Sequence, residues 1–520
     1  MNLHHWKKDY WLWLPLMLIT WRLAWHYQDT FISDWDTFDY TAQVVQGVPT
    51  ALGLGRALFL GYNRGLWLLA HHWFSLPPEK AYLILRYSVI ALSAPAIVGI
   101  YALYKELTKS RIVACAGALL FVNSPYFIIY SGRGMSEIPG LLTFAWGAWW
   151  MFRNFRLGKM WQSIIGAGLF GLSANMREFS VFYFPVIALA GLVKWATAES
   201  LVLRFSALSI IESWLVRFGL TLKNFRWVVG ASVVGLLATF AGPIFWALYW
   251  PEYYLPALRG WYSLSAQERQ LHPVDFSRNW EHLISFGYEC SCIAISLAPL
   301  ALAWIGVRLW RDKENRASLW PLLWLGVFGW LSVLAMLENH DLPVNPRYLL
   351  LALPGVALTC GWFLADLIKR HYFLTAAGLI YLSYFAMGEQ WPKIEEKMRW
   401  QREANEAASQ YLSRIDNLNR DAVFIVGSRT PLVNFYRSIG ARPNWKTIAA
   451  GSGWPDEQLD DLIDQHLSEG RAVYVDFDEN LWKNGERGEN REAPGLTLIQ
   501  RTYQVETLHG KLCRVLKKIS

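Results

Sequence analysis

Long apolar runs recur along residues 1–390 and then stop. They fall at about 10–28, 83–105, 111–130, 138–152, 160–176, 179–195, 228–249, 286–309, 319–338, 348–368 and 372–389. Crossing about 30 Å of hydrocarbon takes some 20 apolar residues, so this pattern predicts a polytopic α-helical membrane protein with about eleven transmembrane helices. The shorter runs are candidates for tilted, re-entrant or paired segments. Residues 200–226 are amphipathic with their basic groups on the polar side, which predicts a helix lying on the inner interface. Past residue 390 the pattern changes to that of a small α/β domain over 391–520. A polar helix is expected at about 396–416, an apolar strand at 422–427, helices in "PLVNFYRSIG" and "PDEQLDDLIDQHLSEG", a strand at 471–477, and two late strands ending at "KLCRVLKKI".

Composition agrees with a membrane domain over 1–390. Of 520 residues 54% are hydrophobic and 17% charged, against roughly 25% charged in soluble domains. Trp and Tyr crowd the ends of the runs, as an interfacial belt requires. The net charge of +8 matters less than its placement. Lys7/Lys8, Lys105/Lys109/Arg111, Arg153/Arg156/Lys159, the stretch Lys194 to Arg226, Arg308/Arg311/Lys313/Arg316 and Lys369/Arg370 all fall in inner loops when the N-terminus is cytoplasmic. This placement removes nucleic acid as a reason for the basicity and, with an odd number of spans, predicts the C-terminal domain on the extracytoplasmic side; the expected location is the plasma (inner) membrane. The N-terminus reads as a retained first helix, with no small-residue cleavage site. Cys115, Cys290, Cys292 and Cys360 lie in or beside apolar runs and Cys513 stands in the polar tail, so no disulfide framework or zinc spacing is present.

The outer segments gather the unusual polar residues. "SDWDTFDY" (33–40) places Asp34, Asp36 and Asp39 just after the first run. In a helix starting there Asp36, Asp39 and Tyr40 share a face. A partly desolvated carboxylate can take a proton from a hydroxyl nucleophile. The same residues also read as an N-cap, Asp34, followed by a first-turn acid. Arg133, Arg177 and Arg347 each stand at the outer end of a run and Arg56 in the first outer loop. A guanidinium fork matches a pair of phosphate oxygens, and taken singly each is also a snorkelling residue. Glu137 precedes Pro139 at a helix entry, as a capping acid or a site acid. Glu178 is placed to pair with Arg177. His340 and Asp341 read as a solvated pair, because no spacing enforces a metal; a divalent ion is not favoured, and no cofactor is expected. Gly427-Ser428 lacks the spacing and the Lys of a phosphate loop and reads as a turn.

The order of these parts resembles the polytopic glycosyltransferases of the GT-C fold, in particular the protein mannosyltransferase and aminoarabinose transferase group that uses polyprenyl-phosphate sugars. The strings that carry it are "DWDTFDYTAQVVQG", "RGMSEIPGLL", "ANMREFSVFYFP" and "NPRYLLLALPGVAL". The resemblance implies an inverting transfer from a polyprenyl-phosphate-linked sugar donor to a protein, lipid or glycan acceptor. Asp36 would be the general base, with Asp34 and Asp39 open as alternatives, and Glu137 an orienting acid. Arg56, Arg133, Arg177, Arg347 and Tyr348 would hold the donor phosphate, with Asp34, Tyr40, Glu178 and His340 near the acceptor or behind the reacting groups. Membrane lipids are the other partners. Two other functions share this layout, a lipid-linked glycan polymerase or ligase of the same fold and a lipid or sugar transporter (flippase). The charges gather at the outer ends rather than at mid-depth and no internal repeat appears, which favours an enzyme over a transporter.

Overall fold

In this computed structural model the described residues are 9–48, 55–157, 159–177, 180, 229–252, 254–256, 258–259, 276–311, 319, 322–323, 325–327, 331, 346–426, 430–440, 444–449, 456–477, 494–510 and 512–518. The expected span at 179–195, the amphipathic stretch at 200–226 and most of the span at 319–338 lie outside them. The chain divides into two compact units, one of Met1–Gln28, Gly53–Phe59 and Arg86–Met398, the other of Asp29–Leu52, Leu60–Leu85 and Arg399–Ser520.

In chain order the helices up to residue 415 are α1 (Tyr10–His26), α2 (Trp35–Gln46), α3 (Ala57–Phe74), α4 (Tyr82–Thr108), α5 (Arg111–Val122), α6 (Pro125–Ser131), α7 (Glu137–Arg156), α8 (Met160–Met176), α9 (Val229–Tyr249), α10 (Phe276–Cys290), α11 (Cys292–Arg311), α12 (Leu353–Arg370), α13 (Tyr372–Phe385) and α14 (Trp391–Ile415). Among the described residues three helices are long and apolar enough to cross a membrane, Pro78–Thr108, Val229–Tyr249 and Cys292–Arg311. The pair α5 and α6, bent by 71°, makes a fourth if it counts as one broken span. Helices α1 and α8 have 17 residues each and α13 has 14, short of the roughly 20 that span a bilayer untilted.

The first unit is held by close helix contacts at small residues. A Cβ added at Gly147 would stand 2.4 Å from the Phe170 nitrogen, and one at Gly166 2.4 Å from the Met151 nitrogen, so α7 and α8 meet backbone to backbone. Gly361 of α12 meets Gly117 of α5 in the same way, with an added Cβ 2.5 Å from the Gly117 nitrogen. Small residues at such contacts let membrane helices pack without a hydrophobic driving force between them.

Two of the expected spans are interrupted. The run 111–130 is not one helix: α5 stops at Val122, and Ser124 caps α6 by accepting from the Phe127 N–H, with Pro125 in the first turn. Pro suits that position because the missing N–H had no partner there. Ser124 Oγ also donates to the Cys290 carbonyl at 2.5 Å. The run 286–309 is likewise split, α10 meeting α11 at Ser291. The 18-residue helix α3 stands where the sequence reading has only loop.

The second unit contains a five-stranded sheet in the order β2-β1-β3-β5-β4. Its strands are β1 (Ala422–Val426), β2 (Lys446–Ala449), β3 (Ala472–Asp476), β4 (Tyr503–His509) and β5 (Leu512–Lys518). β1 runs parallel to β2 and β3, whereas β5 is antiparallel to β3 and β4 to β5. The helices joining them are α15 (Thr430–Ser438), α16 (Asp456–Ser468) and α17 (Pro494–Thr502). β1 and β3 are buried along their whole length, because helices cover both faces of the sheet. On one face Ala422, Phe424, Val426 and Tyr474 pack with Tyr411 and Ile415 of α14, Phe435 of α15, and Ile32 and Phe38 at and before α2. On the other, Val423, Ile425, Val473 and Val475 pack with Leu459, Ile463 and Ile499. The expected strands and the two helices before β3 are present; β2 and α17 were not anticipated.

Candidate functional site

The acidic stretch forms α2, and its geometry separates the three carboxylates. Asp34 is the N-cap, its side chain accepting from the Asp36 N–H at 3.3 Å. A side-chain oxygen at this position satisfies an N–H that the helix itself leaves without a partner. Asp39 accepts from Gln43 Nε2 at 2.6 Å, one helical turn on. Asp36 lies in the first turn, is 2% exposed, and takes a long hydrogen bond of 3.4 Å from the Tyr40 hydroxyl. The shared face of Asp36 and Tyr40 expected from the spacing is therefore present.

Helix α2 is fixed at both ends and in the middle. Before it, Asp29 accepts from the Ser33 N–H at 2.8 Å and the Ser33 hydroxyl at 2.7 Å. Asn405 of α14 donates to the other Asp29 oxygen at 2.5 Å and to Thr30 Oγ1 at 3.1 Å. Phe38 meets Phe435 edge to face at 5.3 Å. After it, Arg64 Nη1 donates to the Val44 and Val45 carbonyls at 2.7 and 3.0 Å. Gly47 ends the helix at φ +76°, a left-handed conformation that favours glycine, and a Cβ there would push aside the Arg64 guanidinium, whose carbon it would approach to 2.3 Å.

In the first unit three residues singled out from the sequence come together. Glu137 opens α7, Arg177 follows the last residue of α8, and Arg347 lies in the 3₁₀ turn Pro346–Leu351 ahead of α12. Arg177 Nη2 is 3.1 Å and Arg347 Nε 3.6 Å from the same oxygen, Glu137 Oε1. All three are buried, Glu137 and Arg177 at 1% exposure. Charges removed from water this completely persist only when paired, and both guanidinium groups meet the one Glu137 oxygen.

Two partners in this cluster escape a reading of charges. Arg177 Nη1 donates to the Ser136 hydroxyl at 3.4 Å. A Cβ at Gly140 would stand 2.8 Å from the Arg177 Cβ, so glycine there is what admits the arginine stem. Their signal is positional, since Ser136 and Gly140 flank Glu137 at −1 and +3 in "MSEIPG".

The remaining candidates are less concentrated. Arg133 is buried in the first unit with its guanidinium 5.1 Å from the Tyr130 ring, within the reach of a cation–π contact. Arg56 is also buried, in that unit. Tyr348 lies in the same 3₁₀ turn as Arg347, whereas Glu178 and His340 fall outside the described residues. Among the described residues no group of three or more His, Cys, Asp or Glu side chains could hold a metal ion.

Two solved structures share this architecture. ArnT from Cupriavidus metallidurans, bound to undecaprenyl phosphate, is similar with a TM-score of 0.53 at 9% identity, over 97% of this chain and 97% of that one. The archaeal oligosaccharyltransferase AglB from Archaeoglobus fulgidus, in complex with an inhibitory peptide and a dolichol-phosphate, is similar with a TM-score of 0.50 at 13% identity, over 96% of this chain and 73% of that one. No protein-family model and no curated protein matches the chain. The likeness establishes the fold: this is a membrane chain of the GT-C architecture, as the resemblance in the sequence implied.

Proposed function

We propose that this GT-C chain is an integral membrane glycosyltransferase that moves a sugar from a polyprenyl-phosphate donor to an acceptor hydroxyl on the extracytoplasmic side of the membrane. The observation that carries the reading is the buried cluster of Glu137 with Arg177 and Arg347, two guanidinium groups ordered on one carboxylate oxygen. Guanidinium forks held in a low-dielectric setting and ordered before any ligand arrives suit a phosphodiester and the charge that grows on it as it leaves. The two solved neighbours hold a polyprenyl or dolichol phosphate, which is the ligand chemistry this cluster suits.

In this reading Asp36 takes the proton of the acceptor hydroxyl. The acceptor oxygen attacks the anomeric carbon opposite the phosphate. The bond from that carbon to the phosphate oxygen breaks, and its electron pair leaves with the lipid phosphate. Configuration is inverted and no covalent enzyme intermediate forms. Arg177 and Arg347 hold the phosphate, Arg56, Arg133 and Tyr348 assist, and Glu137 keeps the two guanidinium groups in place. Asp39 is the second choice of base, and Asp34, Tyr40, Glu178 and His340 serve the acceptor side. Protein, lipid and glycan remain the acceptor classes. The N-terminus is cytoplasmic and the sheet domain extracytoplasmic in this scheme, with the plasma (inner) membrane as the location.

The reading is tested with vesicles carrying the protein and a polyprenyl-phosphate donor labelled in its sugar. It requires label to pass to an extracytoplasmic acceptor, and Arg347→Ala to reduce transfer by at least about 100-fold, the scale of losing one electrostatic donor to a transition state. Movement of labelled donor across the bilayer with no transfer would instead make the chain a transporter.

A further inference from the structure

We infer that the C-terminal sheet domain is part of the catalytic apparatus, because Asn405 and Phe435 are positioning residues that set helix α2 and with it Asp36. The inference rests on the reading of Asp36 as the base.

Asn405, Phe435 and Arg64, which meet α2 and the turn before it, all belong to the unit that contains the sheet. Asn405 reaches across from α14 to Asp29 and Thr30, and Asp29 in turn holds the Ser33 N–H and hydroxyl, so the turn entering the helix is fixed one residue before the Asp34 cap. Asn405 is 6% and Asp29 3% exposed, and a hydrogen bond to a buried carboxylate is among the stronger ones available to an amide. Two residues past Asp36, Phe38 is buried in the same core as Phe424, Val433, Phe435 and Trp445. Asp36 therefore lies between an anchored turn and an anchored ring, both anchors supplied by residues some 370 to 400 positions further along the chain. A first-turn side chain follows its helix as a rigid body. A shift of about 1 Å in a reacting group can cost on the order of 100-fold in rate. The sheet domain thus does for the base what Glu137 does for the two arginines: it adds long-range anchors to those that the Asp34 cap and the Tyr40 hydroxyl supply locally.

The two sheet faces supply the control. Ile463 on α16 is fully buried against the face opposite α2, so Ile463→Ala weakens the same domain without touching the helix that carries Asp36. The experiment measures sugar transfer from a polyprenyl-phosphate donor by the full-length protein at matched folded levels, with kcat and donor KM for wild type, Asp36→Asn, Asn405→Ala, Phe435→Ala, Phe435→Leu and Ile463→Ala. Hydrogen exchange of residues 35–46 is followed alongside. Asn405→Ala and Phe435→Ala are expected to lower kcat about tenfold or more with donor KM unchanged and to speed exchange in α2. Phe435→Leu should restore most of the rate, and Ile463→Ala should match wild type in both readouts. Wild-type kcat in Asn405→Ala and Phe435→Ala, with Asp36→Asn inactive, would overturn the positioning role alone. An equal fall in Ile463→Ala would reduce it to general stability. Full transfer by Asp36→Asn would overturn the base assignment and this inference together.

Discussion

One absent methyl group lets Arg177 reach Glu137. The clash that alanine would bring at Gly140 falls on the Arg177 Cβ, at 2.8 Å, and not on the flexible end of the side chain. Relief then requires the end of α8 to move, and overpacking of this kind costs about 1–3 kcal/mol. Gly140→Ala is accordingly expected to weaken polyprenyl phosphate binding by about tenfold, read by titration of the purified protein, with little change in expression. Glu137→Ala instead removes the carboxylate that the two buried guanidinium groups share. Stripping one partner from a buried ion pair costs roughly 3–5 kcal/mol, so this variant should lose thermal stability in detergent as well as activity. Glu137, Arg177 and Arg347 were legible in the sequence because charge at the end of an apolar run is conspicuous. Ser136 and Gly140 were not, because neither carries charge and neither breaks the apolar period of α7. Asp34, Asp36 and Asp39 were legible as a group, yet their separate roles as cap, first-turn acid and partner of Gln43 depend on hydrogen-bond geometry that spacing leaves open.

At the level of elements, periodicity located most helices and misjudged their breaks. Asn123-Ser124-Pro125 is a stop and a restart inside one apolar run, and the 71° bend that it makes is invisible to a hydropathy window that averages over it. The helix α17 was missed because "PG" reads as a turn, although Pro494 occupies a first-turn position where proline is tolerated. The strands β1 and β3 were read correctly, being short continuous apolar runs bounded by polar residues, as strands buried on both faces must be. At the edge of this sheet the Tyr503 hydroxyl donates toward Asp460 Oδ1 at 2.6 Å, and Lys518 Nζ is 2.8 Å from Asp460 Oδ2. Burial pushes the Asp460 carboxyl up, but the hydrogen bonds from Lys518 and Tyr503 and the Lys518 charge outweigh it and hold it below its ordinary 3.8. A lowered folded value means that the contribution to stability is present above 3.8 and is lost as pH falls through the lowered one. Thermal unfolding followed from about pH 5 to about pH 3 should therefore show a smaller acid loss in Asp460→Asn than in wild type. An equal loss in the two would remove Asp460 from the account.

For the whole molecule, composition and hydropathy gave the class: apolar runs up to residue 390 and an α/β domain beyond. What they left hidden is that residues 29–52 and 60–85 fold into one unit with 399–520. The contact between Phe38 and Phe435 joins positions almost 400 apart, and no local pattern records such a pairing. The GT-C likeness supplies the fold, and the buried arginine cluster carries the proposed phosphate binding; the proposal that unites them is that Asp36 is the base. Sugar transfer from a labelled polyprenyl-phosphate donor, compared between wild type and Asp36→Asn at matched membrane levels with donor binding measured in parallel, tests it most directly. Asp36→Asn is expected to bind donor as wild type does and to lose at least about 100-fold in transfer, the lower end of what a positioned general base contributes. Wild-type transfer by Asp36→Asn would contradict it and move the search for the base to Asp39 and Asp34.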